Sequence, residues 1–293
     1  MKILVTGNAG FLAPHVIWGF SSDHEMHGID RWTGDLHDPA VIRREIAGFK
    51  PELVIHLAAK VGRLFGEDDP LQTIRDNALI TTDVALACRD AGIRLAYAST
   101  SEVYGDHGEQ GCTEDQLFDR LPYNIYGLSK RWGEEAARLY TENPILFRFS
   151  MPYGPGLPAG RGRAALINML HQALHRKPIT VHRGAERSWC YVADTIRGAR
   201  MIVESGQGGA WNIGRDDSAV SMLKVAEMAC DLTGAPYSLI EVENAPPNQT
   251  VVKRLPTEKL RSLGWKPEIE LEEGMERTLE WVKTLDAQGA VAA

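Results

Sequence analysis

The stretch Lys2-Ile3-Leu4-Val5-Thr6-Gly7-Asn8-Ala9-Gly10-Phe11-Leu12-Ala13 decides how the rest of the chain is read. Lys2 to Thr6, with its continuous apolar middle, reads as a short buried strand, and the Gly7–Gly10 segment reads as a tight turn. The apolar-rich run from Phe11 to Phe20 reads as the helix that follows. Glycines between a strand and a helix let the backbone approach a pyrophosphate, which then sits on the free N–H groups of the helix N-terminus. The spacing Gly7-x-x-Gly10-x-x-Ala13 is not GxGxxG, so the turn alone is a weak signal. Its context strengthens it. Met26 to Asp30 is a second strand candidate, and Asp30, at its end, stands 20 residues beyond Gly10. A carboxylate there hydrogen-bonds the adenosine ribose and repels a 2′-phosphate, which favours NAD over NADP, while Arg31 next to it moderates the preference.

Working outward, Pro39 to Phe49 has apolar residues at helical spacing, Leu53 to Ala59 reads as a third strand, and Asp76 to Ala91 as a helix. Leu95 to Ser99, Tyr126 to Glu142 and Ile145 to Phe149 continue the alternation as strand, helix and strand. Such alternation predicts an α/β fold with a doubly wound, Rossmann-type parallel sheet whose strand ends gather on one ligand-binding edge. After Phe149 the rhythm stops. Met151 to Gly162 holds three prolines and four glycines, a loop composition. Helices are expected over Ala164–Leu174, Ala193–Glu204 and Ser221–Thr233, a turn at Gly206–Gly209, and a frayed tail over Ala287–Ala293. The expected organisation is a cofactor domain over 1–150, with the chain returning to it around 188–211. Residues 151–187 and 212–293 form a smaller, mixed substrate lobe.

Composition narrows the partners. The 293 residues carry a formal charge of −7 with 44% apolar and 24% charged residues, an ordinary globular balance that suits one large domain or two closely packed ones. A net-negative chain is a poor match for a phosphate backbone, so no nucleic acid is expected as a partner. No apolar run approaches the roughly 18 residues of a bilayer span. The N-terminus enters the first strand at once, so no signal peptide and no membrane association are expected. Cys88, Cys112, Cys190 and Cys230 match no metal spacing and read as reduced thiols of a cytoplasmic enzyme; no metal site is expected.

The second site is Tyr126-x-x-x-Lys130 at the start of a predicted helix, where residues four apart share one face. An ammonium beside a phenol favours phenolate and makes tyrosine a usable base near neutral pH. Ser99-Thr100-Ser101-Glu102 lies just past the fourth strand, on the edge where a cofactor at Gly7 would lie. A hydroxyl, a tyrosine and a lysine on that edge can deprotonate an alcohol while hydride leaves its carbon. The spacing of Tyr123 to Lys130 is wrong for one face.

Together these motifs resemble the extended short-chain dehydrogenase/reductase family, and within it the NAD-dependent nucleotide-sugar epimerases, dehydratases and decarboxylases. The resemblance rests on Thr6-Gly7-x-x-Gly10, Asp30, Gly34-Asp35-Leu36, His56-Leu57-Ala58-Ala59, Asn77, Ser99 to Gly105 and Tyr126-x-x-x-Lys130. It continues through Arg148, Tyr153-Gly154-Pro155, Arg187 to Asp194, Asn212-Ile213-Gly214 and Leu263 to Pro267, nearly the whole chain. It implies a cofactor site of Gly7, Gly10, Phe11, Leu12, Asp30, Arg31, Asp35, Leu36, Leu57, Ala58, Ala59, Lys60, Asn77, Ser99, Tyr126 and Lys130. Asp35 and Leu36 would meet the adenine, and Lys130 the nicotinamide ribose. Thr100 and Tyr126 would share the substrate hydroxyl. Ser101, Met151, Asn168, Arg187 and Arg254 would face the nucleotide-sugar substrate, with Arg187 on its diphosphate. A homodimer is implied too, through the counterparts of the Asp76–Ala91 and Tyr126–Glu142 helices; Trp132, Ala136, Leu139 and Tyr140 supply apolar surface there.

Glu102 bears on the reaction. Simple 4-epimerisation needs no carboxylate at this position, whereas Thr-Ser-Glu resembles the GDP-mannose-type 4,6-dehydratases and the glucuronate decarboxylases. Oxidation at C4 acidifies the C5 proton, which a carboxylate can remove. Ser101 stands where another dehydratase group carries an aspartate acid, and serine is a poor proton donor to a leaving hydroxyl. A decarboxylase needs no such acid, because the 4-keto acid expels carbon dioxide directly. Two departures bear on the substrate. Met151 replaces the asparagine that helps hold the diphosphate, and a thioether cannot donate as an amide does. The short Asp30–Gly34 stretch and Arg254 to Leu260 resemble the deoxysugar reductases, which consume NAD(P)H; a 4-epimerase or such a reductase is the alternative, and a non-catalytic NAD-binding protein a third.

Overall fold

The computed structural model describes every residue except 107–110, 117–119, 158–159, 161–164, 217–218, 247–248 and 288–293. The apolar run Ile3-Leu4-Val5 makes β1 (Lys2–Thr6), buried from Ile3 to Thr6, and α1 (Leu12–Phe20) turns Ala13, Val16 and Phe20 inward. β2 (Glu25–Ile29) pairs parallel with one edge of β1. The chain passes straight into α2 (Pro39–Phe49), begun by Pro39 and by the Asp38 carboxylate, which accepts the Ala40 N–H. β3 (Leu53–His56) then pairs with the other edge of β1. This reversal at β1 opens a crevice at the strand C-termini, the place where open parallel sheets take ligands.

α3 (Arg63–Asp68) and α4 (Pro70–Ile74) precede a π-turn at Arg75–Leu79 and α5 (Ile80–Ala91). The helix expected from Asp76 therefore begins earlier and is widened around Asn77, a feature that often marks functional positions. The third strand stops at His56 rather than Ala59, because Leu57 to Lys60 leave the sheet: Ala58 N–H bonds the Thr6 hydroxyl and Lys60 N–H bonds Asn77 Oδ1. β4 (Arg94–Thr100) runs into a 3-10 turn at Ser101–Tyr104, followed by α6 (Ile125–Tyr140) and β5 (Ile145–Phe149).

Beyond β5 come β6 (Met151–Tyr153), α7 (Ala165–Leu174), β7 (Ile179–His182), β8 (Glu186–Tyr191), α8 (Val192–Glu204) and β9 (Gly209–Ile213). The chain ends with β10 (Ala219–Ser221), α9 (Met222–Thr233), β11 (Ile240–Glu243), β12 (Val252–Lys253), α10 (Glu258–Arg261) and α11 (Leu271–Ala287). The large sheet is all parallel, ordered β2-β1-β3-β4-β5-β9. A smaller mixed sheet is ordered β10-β8-β12, with β6 also paired to β8, and β7 pairs β11. One apolar layer, including Val16, Phe147, Ile196, Leu170 and Leu279, runs from the large sheet into the second lobe. The other face is covered by α2, α5 and α6 over Leu4, Val54 and Leu146.

Met151 to Tyr153, expected in a loop, forms a strand because it pairs with Trp189–Tyr191. The chain returns to the large sheet through the α8–β9 unit, Val192 to Ile213, while Ser188 to Tyr191 belong to the smaller sheets. α11 was not foreseen; Met275, Leu279 and Val282 bury its inner face, and Asp194 anchors its approach by accepting the Glu268 and Ile269 N–H groups. The expected tail beyond Ala287 lies outside the described residues.

Candidate active site

At the β1–α1 turn Gly7 has φ +80°, and a Cβ there would stand 2.8 Å from the Ala58 nitrogen. Only glycine lets the first turn and the loop after β3 meet so closely. Gly10 N–H closes the turn on Gly7 C=O at 2.8 Å. Phe11 caps α1 without a side-chain bond, and the first turn holds no acidic residue, so its N–H groups face the crevice without a competing side-chain acceptor. A dinucleotide pyrophosphate fits this cradle.

Asp30 follows β2. Its Oδ1 accepts the Trp32 and Thr33 N–H groups at 2.8 and 3.2 Å, which orients the carboxylate and leaves Oδ2 for a ribose. Arg31 stacks on the exposed Trp32, 4.4 Å from its centroid. Asp35 lies beyond, its carboxyl held down by His37, whose ring bridges Asp35 and Asp76 at 2.8 Å each. Leu36 is buried beside it, packed in the layer with Val41 and Ile80. Leu57 to Lys60 form the floor. Asn77 fixes that floor through Lys60 C=O at 2.9 Å and reaches Ser129 on α6 at 3.0 Å.

The proton-transfer residues sit where β4 meets α6. Asn124 caps α6 by accepting Gly127 N–H at 2.8 Å and donates to Glu102 Oε2 at 3.3 Å. Gly127 permits the approach, since a Cβ would stand 2.9 Å from the Glu102 carbonyl. Tyr126 and Thr100 thereby meet: burial pushes the Tyr126 phenol up to about 12, while the Thr100 hydroxyl pulls the other way. Lys130 is buried and pushed down to about 7 by desolvation, with Glu134 opposing. Its ammonium lies over the Tyr97 ring, 4.5 Å from the centroid. Of the two neighbours expected to act on the Tyr126 phenol, Thr100 is the one whose hydroxyl pulls its value down here. The Ser99 hydroxyl donates to buried Glu134.

Glu102 faces a pocket also lined by Ser101, Thr250 and Lys253, and it forms an ion pair with Lys253. Burial pushes Lys253 down to about 8, and Arg63 adds to the effect. β12 places Lys253 in register with Arg187 on β8. Arg187 is 6% exposed and donates to the Glu186, Val251 and Thr250 carbonyls, with no carboxylate among the described residues; burial lowers it to about 10. Arg254 instead pairs with Glu186 at 2.9 Å. Met151 is half-buried on β6, and the Asn168 amide is engaged on both sides by Gly160, at 2.8 and 3.0 Å. Lys253, Asn124 and Tyr97 were not read from the sequence. Lys253 is 151 residues from Glu102, and no spacing rule joins them.

Among the described residues no three His, Cys, Asp or Glu side chains gather as a metal site, and no helix is long and apolar enough to cross a membrane.

Comparison with known proteins agrees with this geometry. Residues 3–214 match the model of the NAD dependent epimerase/dehydratase family. The chain is 28% identical over 300 residues to UDP-glucuronic acid decarboxylase 6 of Arabidopsis thaliana, covering 94% of this chain and 87% of that one. It is 26% identical over 320 residues to the dTDP-D-glucose 4,6-dehydratase of Mus musculus, covering 96% and 88%. The fold matches DesIV, a dTDP-glucose 4,6-dehydratase from Streptomyces venezuelae solved with NAD bound, at a TM-score of 0.88 and 21% identity over 98% of each chain.

Proposed function

The chain belongs to the NAD-dependent epimerase/dehydratase family, and from that premise we propose that it modifies a nucleotide sugar by transient oxidation at C4. Decarboxylation or elimination at the neighbouring carbons, assisted by Glu102, then follows. What supports this reading is the approach of Thr100 to Tyr126, with Lys130 one turn further along the same helix, beside a carboxylate, Glu102, paired with Lys253. NAD, when bound, would take up the C4 hydride and return it to the sugar once carbon dioxide or water has left. Tyr126, whose phenol is pulled down by the neighbouring Thr100 hydroxyl, takes the C4 hydroxyl proton. Gly7, Gly10, Leu12 and the loop of Leu57, Ala58, Ala59 and Lys60 cradle the dinucleotide, with Asp30 on the adenosine ribose. Arg187 receives the diphosphate, and the thioether of Met151 contributes no donor. In chain terms residues 1–150 with the α8–β9 unit serve the cofactor, and the remainder serves the substrate.

Decarboxylation is favoured over dehydration. Ser101 offers no acid for a leaving hydroxyl, whereas loss of carbon dioxide needs none. Lys253, with Arg187 beside it on β8 and Arg63 near enough to influence it, brings positive charge next to Glu102, which suits a substrate carrying a carboxylate as well as a diphosphate. The Arabidopsis thaliana decarboxylase is a relative of this kind. The test is mass spectrometry of products from UDP-, GDP- and dTDP-linked hexoses and hexuronates without added cofactor. Loss of carbon dioxide from a uronate is expected. Loss of water from a hexose would assign the dehydratase reaction, an unchanged mass with altered chromatography the epimerase, and turnover only with added NAD(P)H the reductase.

The proposal extends to a cytoplasmic homodimer. All four cysteines are free and buried, which suits a reducing compartment. On α6, Ala136 is buried and Tyr140 packs inward, while Leu128, Trp132 and Leu139 are exposed; Leu79, just before α5, is exposed too. Large exposed apolar residues on neighbouring helices mark an interaction face. The double substitution Trp132→Glu and Leu139→Glu is expected to convert a sedimenting dimer to monomer. A wild-type chain that already sediments as a monomer would refute this.

A further inference from the structure

Lys130 poses a physical question that its catalytic assignment leaves open. It is 2% exposed, yet its ammonium makes no hydrogen bond to any described residue. The carboxylate one turn further along α6, Glu134, is already engaged: Arg148 donates to it twice, at 2.9 and 2.7 Å, Arg138 once at 3.0 Å, and Ser99 once more. What lies under the ammonium is the face of Tyr97, on β4. The ring reaches that place because α6 carries Gly133 there, where any Cβ would overlap the Tyr97 hydroxyl. That hydroxyl is buried and makes no hydrogen bond of ordinary geometry among the described residues; the Thr81 hydroxyl is near enough to pull the phenol down, against a larger push upward from burial. On the sheet side Tyr97 stacks on His56, at 5.9 Å and 23°. Burial, with Lys130 adding, pushes His56 down to about 3, and its ring bonds the Thr6 and Thr81 hydroxyls, so it is neutral and does not compete for the ring as a cation.

We propose that Tyr97 is a positioning residue for cofactor binding, its ring seating the Lys130 ammonium on the crevice floor with the N–H donors free for the ribose hydroxyls. The inference rests on the assignment of Lys130 to the nicotinamide ribose. A carboxylate in the same place would hold the ammonium by accepting those donors. An aromatic face attracts the charge through its quadrupole and accepts none of them directionally. It also lowers the cost of leaving a charged amine in a site that desolvates it. Gly133 and Tyr97 thus form one device: an absent side chain on the helix admits a ring from the sheet.

The experiment is calorimetric titration of NAD into the nucleotide-stripped full chain, with Tyr97→Leu, Tyr97→Met, Tyr97→Phe, Lys130→Met and the Tyr97→Leu/Lys130→Met pair. Thermal melts identify variants that remain folded, and Tyr97→Met serves if Tyr97→Leu does not. Either non-aromatic variant is expected to weaken NAD binding by about three- to thirty-fold, the range spanned by a partly desolvated cation–π contact. Tyr97→Phe, which keeps the ring, is expected to bind within about twofold of wild type. In the Lys130→Met background the loss of the ring is expected to cost nothing further. Tyr97 is a mere packing residue if its removal costs the same factor with and without Lys130, and equal loss in Tyr97→Phe assigns the effect to the hydroxyl; either result overturns the proposal. Undiminished NAD binding in Lys130→Met overturns the ribose assignment itself, and with it the role of Tyr97, while leaving the sugar chemistry to the product assay.

Discussion

Replacing Tyr126 with phenylalanine is expected to lower turnover by about two to four orders of magnitude, the contribution of a positioned general acid–base, with fold and NAD binding retained. The reasons are local. The ring is 8% exposed and is held by α6, whose start is fixed by Asn124, so deleting one oxygen leaves the packing intact. The hydroxyl, by contrast, is the group that meets Thr100. Burial holds the phenol at about 12 in the resting protein, so it is protonated at neutral pH. As a base it therefore needs the added positive charge of the assembled site, and Lys130, at about 7, is the residue that can supply it. Lys130→Met is accordingly expected to lower turnover too and to weaken NAD binding, whereas Tyr126→Phe affects chemistry alone. The check is single-turnover formation of reduced nicotinamide, read by its absorbance, beside a melting curve and an NAD titration for each variant. Full activity in Tyr126→Phe would remove the proton-transfer assignment.

The division of labour between sequence and structure follows from the range of the interactions. Lys2 to Thr6, Pro39 to Phe49 and Ile145 to Phe149 were legible to the residue, because unbroken apolar runs, a Pro–Asp helix start and glycine punctuation are local signals. α11 carried such a signal as well, in Met275, Leu279 and Val282, but it follows a stretch of prolines and charges that masks its start. The strands of the smaller sheet had no comparable signature. Two or three residues each, as in β12 and β6, they exist only because β8 pairs with them. The site divides in the same way. Gly7, Asp30, Thr100, Tyr126 and Lys130 stand in local motifs. Lys253 enters through a strand contact with no sequence period, and Tyr97 through a gap left by Gly133. The contacts of Ser99 with Glu134 and of Leu36 with Val41 likewise join residues far enough apart in the chain, or in loops irregular enough, that no local motif announces them.

The largest expected effect on stability comes from the ion pair beneath the catalytic helix. Glu134 and Arg148 are 0% and 1% exposed, and their bidentate contact joins α6 to β5 directly under Ser99. Arg148 also donates to Tyr104 at 2.7 Å, which donates in turn to Asn212 on β9, so one network ties the catalytic loop to the last strand of the large sheet. Taking Glu134 away strips the buried Arg148 guanidinium of its bidentate carboxylate. Taking Arg148 away leaves the buried Glu134 carboxylate with only the partly exposed Arg138 and the Ser99 hydroxyl among these donors. Glu134→Leu or Arg148→Met alone is therefore expected to destabilise the chain by about 3–5 kcal/mol. Removing both at once is expected to cost less than either single change, since neither charge is then stranded and the volumes are roughly kept. pH provides an independent check. Burial alone would push the Glu134 carboxyl up, but the hydrogen bonds and charge of Arg148, with Arg138 and Ser99, outweigh it and hold it below its ordinary value of 4.5. A carboxyl lowered by folding contributes stability that is fully present above its unfolded value and is lost as pH falls through the folded one. Wild-type stability is thus expected to fall on acidification below about 4.5 more steeply than that of the double variant. Urea unfolding of the four proteins at neutral and acid pH measures both effects. Additive costs for the two single changes, or an unchanged acid slope in the double variant, would show that the pair contributes nothing as a pair.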